Sequence, residues 1–386
     1  MHGLPIVAIF GADLDLQSPG PAPEYDAREM ECRCYPDDGE IERILAEVRP
    51  DVLLSVGQVE DYPRLLALPY DVRRRWLHAP DASDPGTLGR MAWACFLESA
   101  LEHRPGAPLL VSVFTPAYRG GKRIVRAYRS LLVQDYPEWE WVLYDDSDDG
   151  GETWGIVSAI AAGDHRVRAY RASRHSGIVG AVKRDAALLC RGEILLELDH
   201  DDELRADALD RVVAAFRANP RVGFVYSDTE MRGPDGGWRD FGPSWAHGYG
   251  ETREVDGVLA HGATINAATS RHIVGAPNHL RAWRQGAYRV AGAHNARLPI
   301  VDDYDLLVRT FLTTRMHRLA LPLYVQHIGD TTTDARRRAI QRLVRHVAAH
   351  YDRAIHVRLI DLGMDGFLWD EQEGRADWAL LPGAES

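Results

Sequence analysis

From residue 109 onward, short apolar segments alternate with segments of helical spacing, and this alternation constrains the fold more than any other feature. Apolar strands are predicted at 109–114, 139–144, 167–170 and 193–198, with helices between them at 125–133, 153–162 and 178–190. The first strand is a continuous apolar run of the kind that is buried on both faces of a sheet. Alternating strands and helices predict an α/β fold with a parallel sheet.

At 386 residues the chain exceeds the size at which one hydrophobic core stops growing, so we expect more than one domain. The segment 104–108 contains two prolines and a glycine, which break the preceding helix and predict a domain boundary. We therefore predict a small Rossmann-like α/β domain over 1–103, a larger domain over 104–335, and a C-terminal helix and tail over 336–386. The first domain carries no phosphate-binding glycine motif, so we do not expect it to be catalytic.

Charge and hydropathy exclude two classes of protein. A formal net charge of −12 argues against a general binder of nucleic acids, which needs a clustered basic surface. No apolar run is long enough to span a membrane, and the first residues do not resemble a signal peptide, so we expect a cytoplasmic protein. The four cysteines lack zinc-ligand spacing and are interpreted as free thiols.

The strand predicted at 193–198 runs directly into a cluster of acids. Asp199, Asp201 and Asp202 fall within four positions, and such a cluster is costly unless a cation or hydrogen-bond donors neutralise it. Oxygen ligands of this type suit Mn²⁺ or Mg²⁺. The alternative is that Asp202 is only a helix N-cap, but capping requires one acid rather than three.

Ligands of open α/β sheets bind beyond the carboxyl ends of the strands. Thr115, the pair Asp145-Asp146 and the acid cluster each follow a predicted strand, so we expect them to share one edge of the sheet. A second acidic pair, Asp302-Asp303, begins a predicted helix, where the helix dipole stabilises negative charge. Asp302 could be an N-cap alone, whereas a carboxylate here could also be a general base.

Residues 109–333 resemble the nucleotide-sugar glycosyltransferases of family two, which have the GT-A fold. The segment Val111–Tyr118 is similar to the family's first strand and its Thr-Pro-x-Tyr turn, and Asp199-His200-Asp201 is similar to its DxD motif. The resemblance implies that the donor nucleotide is bound by the following residues: Thr115, Pro116, Tyr118, Asp145, Asp146, Lys183 and Asp199. It also implies a metal held by Asp199, Asp201 and His327, and Asp303 as the base.

One further cofactor-binding residue is predicted from side-chain chemistry. Arg281 and Arg284 fall in a predicted helix over 279–291, and a guanidinium suits diphosphate oxygens, so Arg284 is assigned to the donor. The alternative is that both arginines occupy a solvated helix face.

The sequence therefore predicts an inverting glycosyltransferase that moves a sugar from a nucleotide diphosphate donor, a UDP-sugar by resemblance, to an acceptor hydroxyl with Mn²⁺ or Mg²⁺ assistance. The acceptor is not identified. A sugar-phosphate nucleotidyltransferase also uses an acidic metal site, but its glycine-rich basic signature is only partly matched by 115–122. The third interpretation is a catalytically silent nucleotide-sugar-binding protein. The presence of Asp199, Asp201 and Asp303 argues against it, because a silent site does not require all three acids.

Overall fold

The computed structural model describes residues 5–14, 16, 30–68, 70–73, 75–102, 108–239, 251–262, 265, 270, 278–329 and 332–362. Most of the predicted boundary at 104–108, most of a glycine- and tryptophan-containing segment at 232–250 and the tail after 362 lie outside these residues. Within the described residues, no helix combines the length and the apolar character that crossing a membrane requires.

The N-terminal unit is built around a small parallel sheet. Its strands are β1 Ile6–Phe10, β2 Glu31–Tyr35, β3 Val52–Val56 and β4 Trp76–Ala79, in the spatial order β2-β1-β3-β4. The helices of this unit are α1 Ile41–Glu47, α2 Pro63–Ala67, α3 Tyr70–Arg73 and α4 Pro85–Glu102. The alternation of strands and helices confirms the predicted α/β character of this unit.

The first half of the second unit follows the predicted alternation closely. Its elements are β5 Val111–Ala117, α5 Ile124–Leu132, β6 Trp139–Asp145, α6 Glu152–Gly163, β7 Val167–Arg171, α7 Val179–Leu188 and β8 Ile194–Glu197. The four strands are parallel in the order β8-β5-β6-β7. The carboxyl ends of β5, β6 and β8 therefore meet at one edge.

The second half extends this sheet with strands of mixed direction. The elements in chain order are β9 Glu203–Leu204, α8 Ala208–Ala218, β10 Val222–Arg232, β11 Glu251–Val255, β12 Val258–Gly262, β13 Arg281–Arg284, α9 Gln285–Val290, α10 Asp302–Thr313, β14 Arg315–His327 and α11 Thr332–Asp361. β13 is antiparallel to both β8 and β10, while β14 pairs with β10 and β9. Among the described residues the whole sheet has ten strands.

The helix predicted at 279–291 is wrong in its first half. Arg281 to Arg284 form the central strand β13, and only Gln285 to Val290 are helical. Arg281, Ala282 and Trp283 are buried between β8 and β10, so the pairing of two neighbouring strands determines their conformation. Local propensity was a poor guide because tertiary pairing overrides it in central strands.

The two units share a hydrophobic core. Trp76 and Leu65 of the first unit belong to the same buried cluster as Tyr144, Tyr170 and Val182 of the second. The hydroxyl of Tyr144 also donates a hydrogen bond to Glu60, at 2.9 Å. The N-terminal unit therefore packs against the strand that leads into Asp145 and Asp146, and α11 packs separately on α10.

Candidate active site

The edge formed by β5, β6 and β8 brings together most of the residues predicted for the site. In the parallel register Ala117 pairs with Asp145, and Phe114 pairs with Glu197, two residues before Asp199. The backbone N–H of Asp146 donates to the carbonyl of Ala117, at 2.9 Å. The acids that follow β6 and β8 therefore lie on either side of the end of β5.

Asp146 lies in a turn that its own carboxylate organises. Its two oxygens accept hydrogen bonds from the backbone N–H and the hydroxyl of Ser176, at 2.8 and 2.9 Å. His175 contacts the same carboxylate at 3.0 Å and stacks on Tyr118 with ring centroids 4.8 Å apart. Tyr118 is 38% exposed, so its ring forms an open aromatic surface next to Asp146.

Neighbouring residues hold this turn in place. Asp145 is buried and accepts a hydrogen bond from the backbone of Ser147, at 3.0 Å, and burial raises the pKa of its carboxyl. Arg119 forms a two-point ion pair with Asp148, at 2.7 and 2.9 Å. The turn after β5 is thus bound to the turn after β6.

Thr115 and Pro116 lie within β5 rather than in a turn. The Thr115 hydroxyl donates to the carbonyl of Leu198, at 2.7 Å, and accepts from the indole of Trp141, at 2.9 Å. This side chain is fully buried, so the structure assigns it to joining the ends of β5 and β8 rather than to ligand contact. Pro116 is partly buried in the same strand.

A buried charge cluster underlies the acidic edge. Glu197 is fully buried and lies 2.6 Å from the ammonium of Lys183 and 3.6 Å from the guanidinium of Arg281. Burial raises the pKa of Glu197, but the two cations outweigh it and hold this pKa well below its usual range. Lys183 was predicted to contact the nucleotide, whereas its ammonium here compensates Glu197.

Asp199 belongs to a group of side chains that could hold a metal ion. Ligand atoms of Glu197, Asp199 and His279 all lie within 4.8 Å of one another. His279 approaches the Asp199 carboxylate to 3.6 Å and stacks on Tyr324 at 4.7 Å. Burial lowers the pKa of His279 to about 4, so its ring is neutral at pH 7, which is the form that binds metals.

The structure does not bring Asp201 and His327 into this group. The carboxylate of Asp201 faces Arg123, at 3.6 Å, and the His327 ring contacts Glu203, at 2.6 Å. Their neighbour Asp202 is not a helix cap: it accepts hydrogen bonds from the Tyr324 hydroxyl and the His327 backbone, at 2.9 and 2.7 Å. The end of β14 is therefore bound to the acid cluster, but the His327 ring points to another partner.

The acidic pair at the start of α10 has two different environments. The Asp303 side chain is 24% exposed and lies 3.5 Å from Arg281, which connects it to Glu197. Burial raises the pKa of Asp303, but Arg281 and Lys183 outweigh it and lower that pKa overall. Asp302 is buried 3.9 Å from His294, and burial raises its pKa to about 7. The N-cap of α10 is Val301, so the alternative that Asp302 is only an N-cap is excluded.

Arg284 does not reach this site. It pairs with Ile194 at the start of β8, at the opposite end of the strand from Asp199. Its guanidinium donates to the carbonyls of Val222 and Phe216, at 2.9 and 2.6 Å, and lies over the Phe216 ring. The predicted contact of Arg284 with the donor is therefore wrong. Arg281 is the arginine that β13 places at the acidic edge.

Sequence reasoning missed Glu197 and His279. A glutamate inside an otherwise apolar strand is a detectable signal, because such a residue is rarely buried without a cation. His279 carries no such signal, since only the strand that follows it brings its ring to Asp199.

A mixed sheet of this order, with the acid cluster at its carboxyl edge, fits the GT-A fold. Residues 112–274 match the family model of glycosyl transferase family 2. This segment of the chain is therefore similar to glycosyl transferase family 2.

Relatives match only part of the chain. An uncharacterized protein of Sinorhizobium fredii is 30% identical over 61% of this chain and 24% of its own length. Chondroitin synthase of Escherichia coli is 26% identical over 52% of this chain and 26% of its own length. The chain therefore spans about a quarter of each of these relatives. The crystal structure of S. aureus TarS 1–349 in complex with UDP-GlcNAc is 21% identical, with a TM-score of 0.49, over 65% of this chain and 72% of that one.

Proposed function

We propose that this chain is an inverting glycosyltransferase that transfers a sugar from a UDP-sugar to an acceptor hydroxyl. The proposal depends mainly on the position of Asp303. Its partly exposed carboxylate is linked through Arg281 and Glu197 to the edge that holds Asp199. A base and a donor site on one connected edge is the arrangement that a direct displacement requires.

The base acts on the acceptor. Asp303 accepts the proton of the acceptor hydroxyl, whose oxygen forms a bond to the anomeric carbon as the bond to the diphosphate breaks. Arg281 and Lys183 lower the pKa of Asp303, so the carboxylate is ionised and available at neutral pH. Because one displacement occurs, the configuration at the anomeric carbon inverts.

The donor end of the edge suits a nucleotide. Tyr118 offers an exposed ring beside Asp146, and the hydrogen bonds from Ser176 fix the direction of that carboxylate. UDP is proposed because the Thr-Pro-x-Tyr and Asp-Asp segments resemble those of the family.

The residues at the acidic edge also fit a divalent cation. We propose that Asp199 and the neutral ring of His279 hold Mn²⁺ or Mg²⁺. Glu197 is already neutralised by Lys183 and Arg281, so it contributes less to the binding of a cation. When bound, the metal supplies positive charge that stabilises the departing diphosphate.

Asp303→Asn tests the role of the base. UDP affinity, measured by calorimetry with Mn²⁺, should stay within about twofold of wild type, because the proposed base acts on the acceptor rather than on the nucleotide. UDP release from UDP-sugars in the presence of an acceptor panel should fall by roughly 10²-fold or more.

The matched control is Asp305→Asn, two residues further along α10. Asp305 pairs with Arg309 at 2.6 Å and accepts a hydrogen bond from Tyr351 of α11, at 3.2 Å, so its loss should lower stability without stopping transfer. Full turnover by Asp303→Asn, or equal losses in the two variants, would exclude Asp303 as the base.

A further inference from the structure

A basic groove lies beside the turn that carries Asp201. It has a volume of about 600 Å³ and is formed mainly by one face of α5 and the 3₁₀ turn before it. Its lining residues are Lys122, Arg123, Val125, Arg126, Arg129 and Glu203. Neither the donor site nor the base described above uses this groove.

The groove is positively charged although the chain as a whole is acidic. Four of its lining residues are cations in a chain of net charge −12. Its one acid, Glu203, is already engaged by His327 at 2.6 Å and lies 3.9 Å from Arg126. The described residues provide no ion pair for Lys122 or Arg129, which are both exposed. Two cations are therefore available to an anion from solution.

Two contacts place the groove next to the reaction. The Arg126 guanidinium donates to the backbone carbonyl of Asp201, at 3.0 Å, and Arg123 lies 3.6 Å from the Asp201 carboxylate. One acceptor molecule could therefore place an anionic group on Lys122 and Arg129 and a hydroxyl close to the acidic edge.

We propose that this groove binds a phosphate group of the acceptor, so that the acceptor is a phosphate-bearing glycan or polyol. The inference rests on the proposed transferase function and adds the chemical class of its acceptor. Guanidinium and ammonium groups bind phosphate oxygens strongly, which matches the lining. A lipid surface fits less well because Val125 is the one apolar residue that lines the groove, and membrane-surface helices need a broad apolar face.

The test compares two double variants of the full chain. Lys122→Gln/Arg129→Gln removes the two available cations of the groove. Arg217→Gln/Arg289→Gln removes two exposed cations from α8 and α9, with the same change in net charge. A soluble glycerol phosphate oligomer is titrated against each protein with UDP and Mn²⁺ saturating, so that the donor site is filled.

The oligomer should bind wild type with an affinity that falls as salt rises. The Lys122→Gln/Arg129→Gln variant should bind the oligomer at least about tenfold more weakly, because each substitution removes a charged hydrogen bond to the oligomer. The Arg217/Arg289 variant should bind like wild type. UDP affinity, measured separately, should be equal in all three proteins, and UDP binding to wild type tests the transferase function independently.

Several results would overturn the groove proposal. These are no binding of the oligomer, equal loss in the two double variants, or weaker UDP binding in the groove variant, which would assign the groove to the donor. Binding of a glucuronate oligomer or of phosphatidylglycerol vesicles in place of the glycerol phosphate oligomer would also overturn it.

Discussion

Two buried charge clusters in the same sheet allow a controlled test of how the site is held. Glu140 lies 2.8 Å from Arg168 and 2.8 Å from Arg191, and Glu197 lies between Lys183 and Arg281 in the same way. In each cluster a buried carboxylate is neutralised by two cations. The first cluster lies at the start of β6 and the second adjoins the acidic edge. The perturbations are Arg168→Met and Lys183→Met.

Both variants should lose stability by a similar amount. Lys183 and Glu197 are less than a tenth exposed, as are Arg168 and Glu140, so each substitution leaves a buried carboxylate with one cation instead of two. Breaking a buried ion pair in this way costs about 3–5 kcal/mol. The free energy of unfolding, from urea titration monitored by tryptophan fluorescence, measures this loss.

Only Lys183→Met should change the chemistry. Lys183 lowers the pKa of Asp303, so removing its charge should raise that pKa and move the acidic limb of the pH–rate profile to higher pH. Arg168→Met should keep the wild-type profile among the molecules that remain folded. An unchanged profile in Lys183→Met, or an equal shift in both variants, would refute the electrostatic link between Lys183 and the base.

Two further predictions concern packing and pH. A Cβ at Gly180 would lie 2.5 Å from the carbonyl oxygen of Asn295 and 2.8 Å from the Cβ of Asp302, so Gly180→Ala should cost about 1–3 kcal/mol in urea unfolding. Gly155→Ala, on α6 with open space around it, should be neutral or stabilising by up to about 1 kcal/mol, and equal effects would contradict the close approach of α7 and α10. Burial lowers the pKa of His78 from 6.5 to about 4. Between these two pH values the unfolded chain binds more protons than the folded protein, so the free energy of unfolding falls as the pH drops. His78→Gln should remove about 3 kcal/mol of that loss between pH 7 and 4, and an unchanged loss would contradict the prediction.

The parts of the fold that the sequence predicted are those in which neighbouring residues determine the structure. Strands β5 to β8 are short, mainly apolar segments between helices, so their pattern is local. Strand β13 is not local in this sense: Arg281 to Arg284 are extended because β8 and β10 lie on either side. The error at Arg284 follows directly. Residues three apart share a helix face, but in a strand they lie on opposite faces and toward opposite ends.

The residues of the candidate site also differ in whether a short segment of sequence reveals them. Asp199, Asp201, Asp303 and the pair at the end of β6 could be selected as candidates because acids at strand and helix ends are visible in short segments. The contact of Lys183 with Glu197 and that of His279 with Asp199 depend on the pairing of β8 with β13 and on the packing of α7. No short segment contains both partners, so no local pattern could predict them.

The neighbours Asp302 and Asp303 provide a last prediction, because their environments shift their pKa values in opposite directions. Burial raises the pKa of Asp302 to about 7 from 3.8. Between these values the folded protein binds more protons than the unfolded chain, so the contribution of Asp302 to stability falls as pH rises through this window. A shift of this size corresponds to about 4 kcal/mol. Asp302→Asn cannot ionise, so its stability relative to wild type should increase from pH 4 to pH 8.

Asp303→Asn is the control of opposite sign. Its pKa is lowered by Arg281 and Lys183, so the ionised carboxylate stabilises the folded state above pH 3.8, and that stability is lost as pH falls. The Asn variant should therefore lose stability relative to wild type as pH rises from acid to neutral. Urea unfolding at pH 4, 6 and 8 gives the slope for Asp302→Asn against wild type, and urea unfolding at pH 2, 3 and 4 gives the slope for Asp303→Asn against wild type. Slopes of the same sign would contradict the structure, in which burial raises the pKa of Asp302 while Arg281 and Lys183 lower that of the partly exposed Asp303.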